Sequence, residues 1–224
     1  ESMKDYAIPE ATPYIIKARG NWRTIKAFVE KHTTDRKRAI ELLSTLSDKD
    51  LRDMPMYILD DNMSAPSDQL SPRVESELIL KPFKNYFAKV FDKEAEAFRK
   101  NPSLLVTWIK ENIKMNPDIH AMRIPQTPIS VWESRVTDAR SRDIFFVDVA
   151  RSLGIEARID PVTWKLQYKK GGNWVDVDFD SATEQVAKTG TLVLKYKPTE
   201  YLDDPKYYTH FTISKIVNGR TWLM

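Results

Sequence analysis

Apolar residues recur at helical spacing along the first sixty positions. Trp22, Ile25, Phe28 and Val29 form one such face, and Ala39, Leu42, Leu43 and Leu46 another. Ser47 to Asp50 supplies an N-cap ahead of Leu51. Pro55 then has to end that third helix, kink it or sit in a first turn, because it lacks an N–H. Ser64 to Pro72 is rich in Ser, Pro and Asp and reads as a loop and a boundary. Beyond it, Phe83, Tyr86, Phe87 and Phe91 make an aromatic helical face that reads as core. Ala95 to Ile113 reads as one or two helices, with Pro102 in a first turn. Pro117, Pro125 and Pro128 predict an irregular stretch over Asn116–Pro128.

The pattern then changes. Ile144 to Val147, Val149, Ala150 and Leu153 are apolar on several sides, so this helix is buried, and Gly154 ends it. Strands are predicted over Glu156–Asp160, Lys165–Lys169, Trp174–Phe179, Thr191–Tyr196 and from Tyr208 onward. Gly171-Gly172 marks a hairpin turn, and Asn218-Gly219 marks another between Thr212–Val217 and Arg220–Met224. Helices followed by a buried helix and antiparallel strands give an α+β fold. The expected division is a helical N-terminal extension (1–70), a core (71–190), and C-terminal strands (191–224) that complete the sheet or start a further domain.

Composition narrows the chemistry. The chain has 224 residues and no cysteine, so disulfides, thiolate metal sites and cysteine nucleophiles are excluded. Histidine occurs only at 32, 120 and 210. The 35 basic and 32 acidic residues nearly balance, so nucleic acid is not an expected partner. No apolar run approaches the roughly 18 residues that a membrane span needs. Glu1-Ser2-Met3 lacks the basic and apolar segments of a signal peptide, and the chain reads as a fragment of a longer protein.

Several segments resemble the transglutaminase-like (papain-like) superfamily. They are Trp108–Ile113, Trp132–Arg135, Thr137-Asp138-Ala139, Val149-Ala150-Arg151-Ser152-Leu153-Gly154-Ile155-Glu156-Ala157-Arg158, and Gly172–Asp178. Glu156 stands where the family commonly has proline. The resemblance covers about a third of the chain, roughly Leu104 to Asp180. It implies a helical N-terminal region followed by a core in which a buried helix packs on an antiparallel sheet. Active members use a Cys–His–Asp triad. The Cys opens the buried helix, where backbone N–H groups favour a thiolate, the His takes its proton and the Asp orients the imidazole. Carried over residue by residue, the Cys position falls on Ala139, the His position on Thr163 or Trp164, and the Asp position on Asp178. A methyl group cannot attack a carbonyl. Loss of a triad nucleophile costs about 10⁶-fold in turnover, so no intact catalytic set is expected.

Each remaining candidate carries two readings. Ser141 is either a substitute nucleophile or a hydroxyl capping the helix start. Asp178 either orients the missing imidazole or binds an amine, or else pairs with Arg158 or Arg140. Asp176, Asp178 and Asp180 alternate and so share one strand face. A calcium ion there would need ligands that nothing supplies, and no metal site is predicted. Arg140 and Arg142 either clamp a carboxylate or sugar acid at the pocket mouth or pair with Asp138, Asp143 or Asp148. Trp132 and Trp164, with Asp138, are read as lining a cleft, and Trp174 as core. His120 reads as solvated and His210 as packed in a strand. Two functions stand. One is a degraded domain that binds or scaffolds a polypeptide or glycan. The alternative is an amide hydrolase or acyl transferase using Ser141 with nearby carboxylates. The resemblance implies no cofactor. It also implies an extracytoplasmic location, periplasmic or at the cell surface, as for bacterial relatives of this kind.

Overall fold

The structure is a computed structural model that describes residues 8–65, 68–116, 118, 124–180, 185–186, 190, 192–217 and 220–223. Five helices come first: α1 (Thr12–Ala18), α2 (Trp22–Lys31), α3 (Arg36–Ser44), α4 (Asp48–Asp53) and α5 (Met56–Ser64). Their apolar faces meet in one buried cluster that includes Ile25, Phe28, Val29, Leu42, Leu43 and Leu59. The Ser47 hydroxyl caps α4 by accepting the Asp50 N–H at 3.1 Å. Pro55 resolves its conflict by position. It separates α4 from α5 and occupies the N-cap of α5, where a missing N–H costs nothing.

Residues 68–83 contain no helix or strand. This strap crosses from the first buried cluster to a second, with Leu70 in the first and Phe83 in the second. There α6 (Lys84–Val90) begins, capped by Asp61, whose carboxylate accepts the N–H groups of Phe83, Lys84 and Asn85 at 2.9–3.1 Å. The helices α7 (Ala95–Lys100) and α8 (Ser103–Asn112) follow, with Pro102 at the α8 N-cap. Next come β1 (Lys114–Met115), α9 (Pro128–Ser134) and β2 (Val136–Thr137), with β1 and β2 paired in parallel.

The helix α10 (Ala139–Ser152) is buried along most of its length, as its apolar composition requires. It stops in a Schellman motif. Gly154 takes φ +78°, its N–H reaches the Arg151 carbonyl, and the Ile155 N–H reaches Ala150. The chain then runs into an antiparallel sheet of β3 (Ala157–Ile159), β4 (Leu166–Lys170), β5 (Asn173–Asp176) and β6 (Gln185–Val186), in that order. Ala157, Tyr168 and Val175 are register partners and are buried together, and Phe146 of α10 lies 6.4 Å from the Tyr168 ring. A mixed fold of helices and a small antiparallel sheet is therefore present, as α+β patterning predicts. No helix among the described residues is long and apolar enough to cross a membrane.

Several local expectations give way. The strand predicted over Thr191–Tyr196 is absent at residues 192–196, and Thr191 lies outside the described residues. The strand expected from Tyr208 starts only at β7 (Ser214–Val217), which pairs with β8 (Arg220–Leu223) in a separate two-stranded sheet. The Asn218-Gly219 turn lies outside the described residues, as do Met224 and His120. His210 is exposed in a turn and accepts the Lys206 N–H, so it is not packed in a strand. Tyr86 is half in water (41% exposed), although Phe83, Phe87 and Phe91 are buried. Trp174 is not in the buried core. It lies half-buried under the Arg158 guanidinium, 4.1 Å away.

Candidate functional site

The start of α10 is built by local capping. Asp138 is the N-cap, is buried, and accepts the Ser141 N–H at 2.7 Å. Ser141 is itself buried, and its hydroxyl accepts the Gln126 N–H at 3.0 Å, which ties the loop before α9 to this helix. Ala139 is exposed on the first turn. Residues 139, 142 and 143 share a helix face by their spacing.

Across from this turn lies the connection between β3 and β4. Asp160 organises it by accepting the N–H groups of Val162 and Thr163 at 2.8 and 2.9 Å on one carboxylate oxygen. Its other oxygen receives Arg158 at 2.8 Å. Burial opposes the charge on Asp160, but the two backbone donors and Arg158 outweigh it and hold the carboxyl below its ordinary range. The turn pushes Trp164 outward at φ +59°, 67% exposed. A left-handed backbone is costly for a tryptophan, so the rest of the turn imposes it.

Between these elements lies a groove of about 350 Å³. Arg142 and Asp143 of α10 form one wall, Trp164, Lys165 and Leu166 another, and Asp176 to Asp180 the third. Arg142 donates to Asp143 at 3.1–3.2 Å and lies flat over the Phe179 ring at 3.8 Å. Lys165 pairs with Asp176, which also accepts Gln167 at 2.8 Å. Asp178 accepts the Asp180 N–H at 2.8 Å, and both of these carboxylates face solvent. Asp143 is raised above the ordinary carboxylate range. Burial is the main cause, Arg142 acts against it, and the charge of Asp138 adds to it.

The sequence-predicted residues are partly brought together. Arg142, Trp164 and Asp178 line the groove, while Thr163 neighbours Trp164 in the turn. Three cleft assignments need correction. Trp132 stacks on Trp108 at 5.7 Å and carries Arg135 at 3.6 Å, in an aromatic cluster with Phe87 and Phe91 away from the groove. Asp138 is spent as a helix cap. Arg140 turns to the strap, donating to Glu75 at 2.6–2.7 Å and to Ser76 at 2.9 Å. The strand-face argument also shifts. Strand β5 ends at Asp176, so Asp178 and Asp180 reach the groove from a loop. Arg158 pairs with Asp160 rather than Asp178.

Sequence reasoning missed Lys165 and Phe179. Phe179 carried a usable signal, because an apolar residue among aspartates marks a side chain turned inward. Among the described residues, no group of three His, Asp or Glu side chains is placed to hold a metal ion. A larger hollow of about 560 Å³ lies between Leu194 and Phe211, where the side chains are mostly exposed. Compared with protein-family models, curated proteins and solved structures, the chain finds no match in any of the three.

Proposed function

We propose that the chain is a transglutaminase-like domain without covalent chemistry, which binds or scaffolds a polypeptide or glycan through the groove beside α10. One observation carries this reading. The groove presents a wide-open tryptophan, paired charges and solvent-facing carboxylates, and no thiol, hydroxyl nucleophile or imidazole is among its described lining residues. The three positions that the resemblance makes catalytic support it as well. Ala139 shares a helix face with two lining residues, Thr163 adjoins a third, and Asp178 is a fourth. Such a surface recognises a ligand by stacking and charge, with no bond broken.

The hydrolase alternative gains nothing from the geometry. Ser141 is 1% exposed, its hydroxyl is bound by a backbone N–H, and both described histidines are engaged elsewhere: His32 pairs with Asp60 on α5, and His210 accepts the Lys206 N–H. A base within hydrogen-bond reach is the minimum that a serine nucleophile requires. An extracytoplasmic setting goes with the proposal through the resemblance alone.

Calorimetry with panels of extended peptides and of oligosaccharides tests the reading, run beside an amide-hydrolysis assay on the same ligands. The expected result is saturable binding, weakened about 30-fold by Trp164→Ala as for an aromatic anchor worth about 2 kcal/mol, and no turnover. Absent binding together with measurable hydrolysis overturns it.

A further inference from the structure

The strap over residues 68–83 is seated by side chains from three helices and by a backbone N–H from a strand. Arg73 bonds Asp50 of α4, Arg151 of α10 bonds the Arg73 carbonyl at 3.1 Å, and Arg140 holds Glu75. Gln69 accepts the Ala157 N–H of β3 at 2.8 Å, and Nζ of Lys84 on α6 donates to the Gln69 carbonyl. Beneath the strap, Lys84 and Asp148 are each buried, at 0% and 1% exposure. Neither oxygen of the Asp148 carboxyl has a hydrogen-bond partner. Glu77, also buried, accepts the N–H groups of Val74 and Glu75 at 2.7 and 2.8 Å, one on each oxygen. A fully buried carboxylate with no donor is too costly to keep its charge.

We propose that Lys84 and Asp148 are buried as a neutral pair near neutral pH, Asp148 keeping a proton and Lys84 giving one up, and that this exchange makes strap seating pH-dependent. The groups facing each partner agree with it. Lys84 meets Arg151, Asp148, Asp61 and Arg38, while Asp148 meets Glu77, Arg151, Lys84 and Arg73. Burial, helped by Arg151 and opposed by Asp148 and Asp61, pushes Lys84 down to about 7. Burial, helped by Glu77, pushes Asp148 well above the usual carboxylate range.

The two groups act with opposite signs. Folding makes Asp148 take up a proton, so seating weakens as pH rises from about 4 through its raised value. Folding makes Lys84 release one, so seating tightens as pH rises from about 7 toward 10.5. The two effects cancel between about 7 and the raised value of Asp148, and the wild-type strap is seated least firmly there. The consequence reaches the groove, because the strap's Glu75 holds Arg140 on the first turn of α10, one turn from Arg142 and Asp143.

Hydrogen exchange of the peptide over residues 68–83 in the full chain, corrected for intrinsic rates and referenced to α3, tests this from pH 4.5 to 9.5. The wild type is expected to lose protection from pH 4.5 to about 7, with the opening equilibrium changing by up to tenfold per pH unit, and to regain it only above the raised value of Asp148. Asp148→Asn, nearly isosteric with the protonated acid, loses the acid limb and keeps the alkaline one. Lys84→Met does the reverse. Identical profiles in all three chains overturn the proposal. Where Lys84→Met does not fold, carbonyl ¹³C titration of wild-type Asp148 decides: a protonated carboxyl at pH 7 supports the proposal, and an ionised one overturns it.

Discussion

Removing the Asp138 side chain isolates what holds the first turn of α10 in place. Asp138 is 5% exposed, has extended backbone at the N-cap (φ −88°, ψ 174°), and takes the Ser141 N–H at 2.7 Å. Asp138→Ala deletes that acceptor. A lost N-cap costs about 0.5–2 kcal/mol, and a buried N–H left without a partner costs about 1–3 kcal/mol. These two figures describe the same broken bond and are not summed. The lost negative charge at a helix N-terminus adds about 0.3–1 kcal/mol, so the total falls near 2–3 kcal/mol. For a chain of this size that lowers Tm by about 5–10 °C. Asp138→Asn keeps an acceptor and loses only the charge, so it is expected to cost under 1 kcal/mol. It also removes one of the influences that raise Asp143. Urea denaturation of both variants separates hydrogen bond from charge. If Asp138→Ala unfolds within about 0.5 kcal/mol of wild type, or if Asn costs as much as Ala, the capping argument fails.

Other outcomes follow from the same structure. Phe87 is fully buried and packs edge-on against Phe145 at 5.6 Å and Trp132 at 6.0 Å, so Phe87→Ala is expected to cost about 3–5 kcal/mol in urea denaturation. Trp164→Gly relieves the left-handed backbone while deleting an exposed side chain, so stability is expected to hold or rise by up to about 1 kcal/mol as groove binding is lost. Destabilisation by more than 1 kcal/mol contradicts this. Asp50 is lowered because its hydrogen bonds to Arg73 and Ser47 and the charge of Arg73 outweigh burial. Its contribution is thus present above the unfolded value near 3.8 and is lost as pH falls through the folded value. Asp50→Asn is expected to flatten the acid limb of a stability-against-pH curve.

Helical periodicity disclosed α2, α3, α4 and the buried α10, because an apolar stripe of fixed period leaves few alternatives. The caps at Ser47 and Gly154 were legible for the same reason: each is a local backbone requirement met by one residue type. The groove was legible through Trp164, Arg142 and Asp178, all within forty residues of chain. What escaped was non-local. Arg140 bonds Glu75, 65 residues away, and no spacing rule reports such a partner. Trp132 looked like a cleft residue only because its stacking on Trp108 spans a proline-rich loop. The strand expected at residues 192–196 failed because β propensity needs a neighbouring strand, and these residues pair with none among the described residues.

The exposure of Ala139 has an evolutionary consequence. The Ala139 side chain is exposed, whereas Ser141 and the residues from Ile144 to Ala150 are buried. Selection for foldability therefore exerts little pressure at 139, and substitutions there can drift with little penalty in half-life or yield. A thiol placed at that spot by directed mutagenesis would carry little thermodynamic risk.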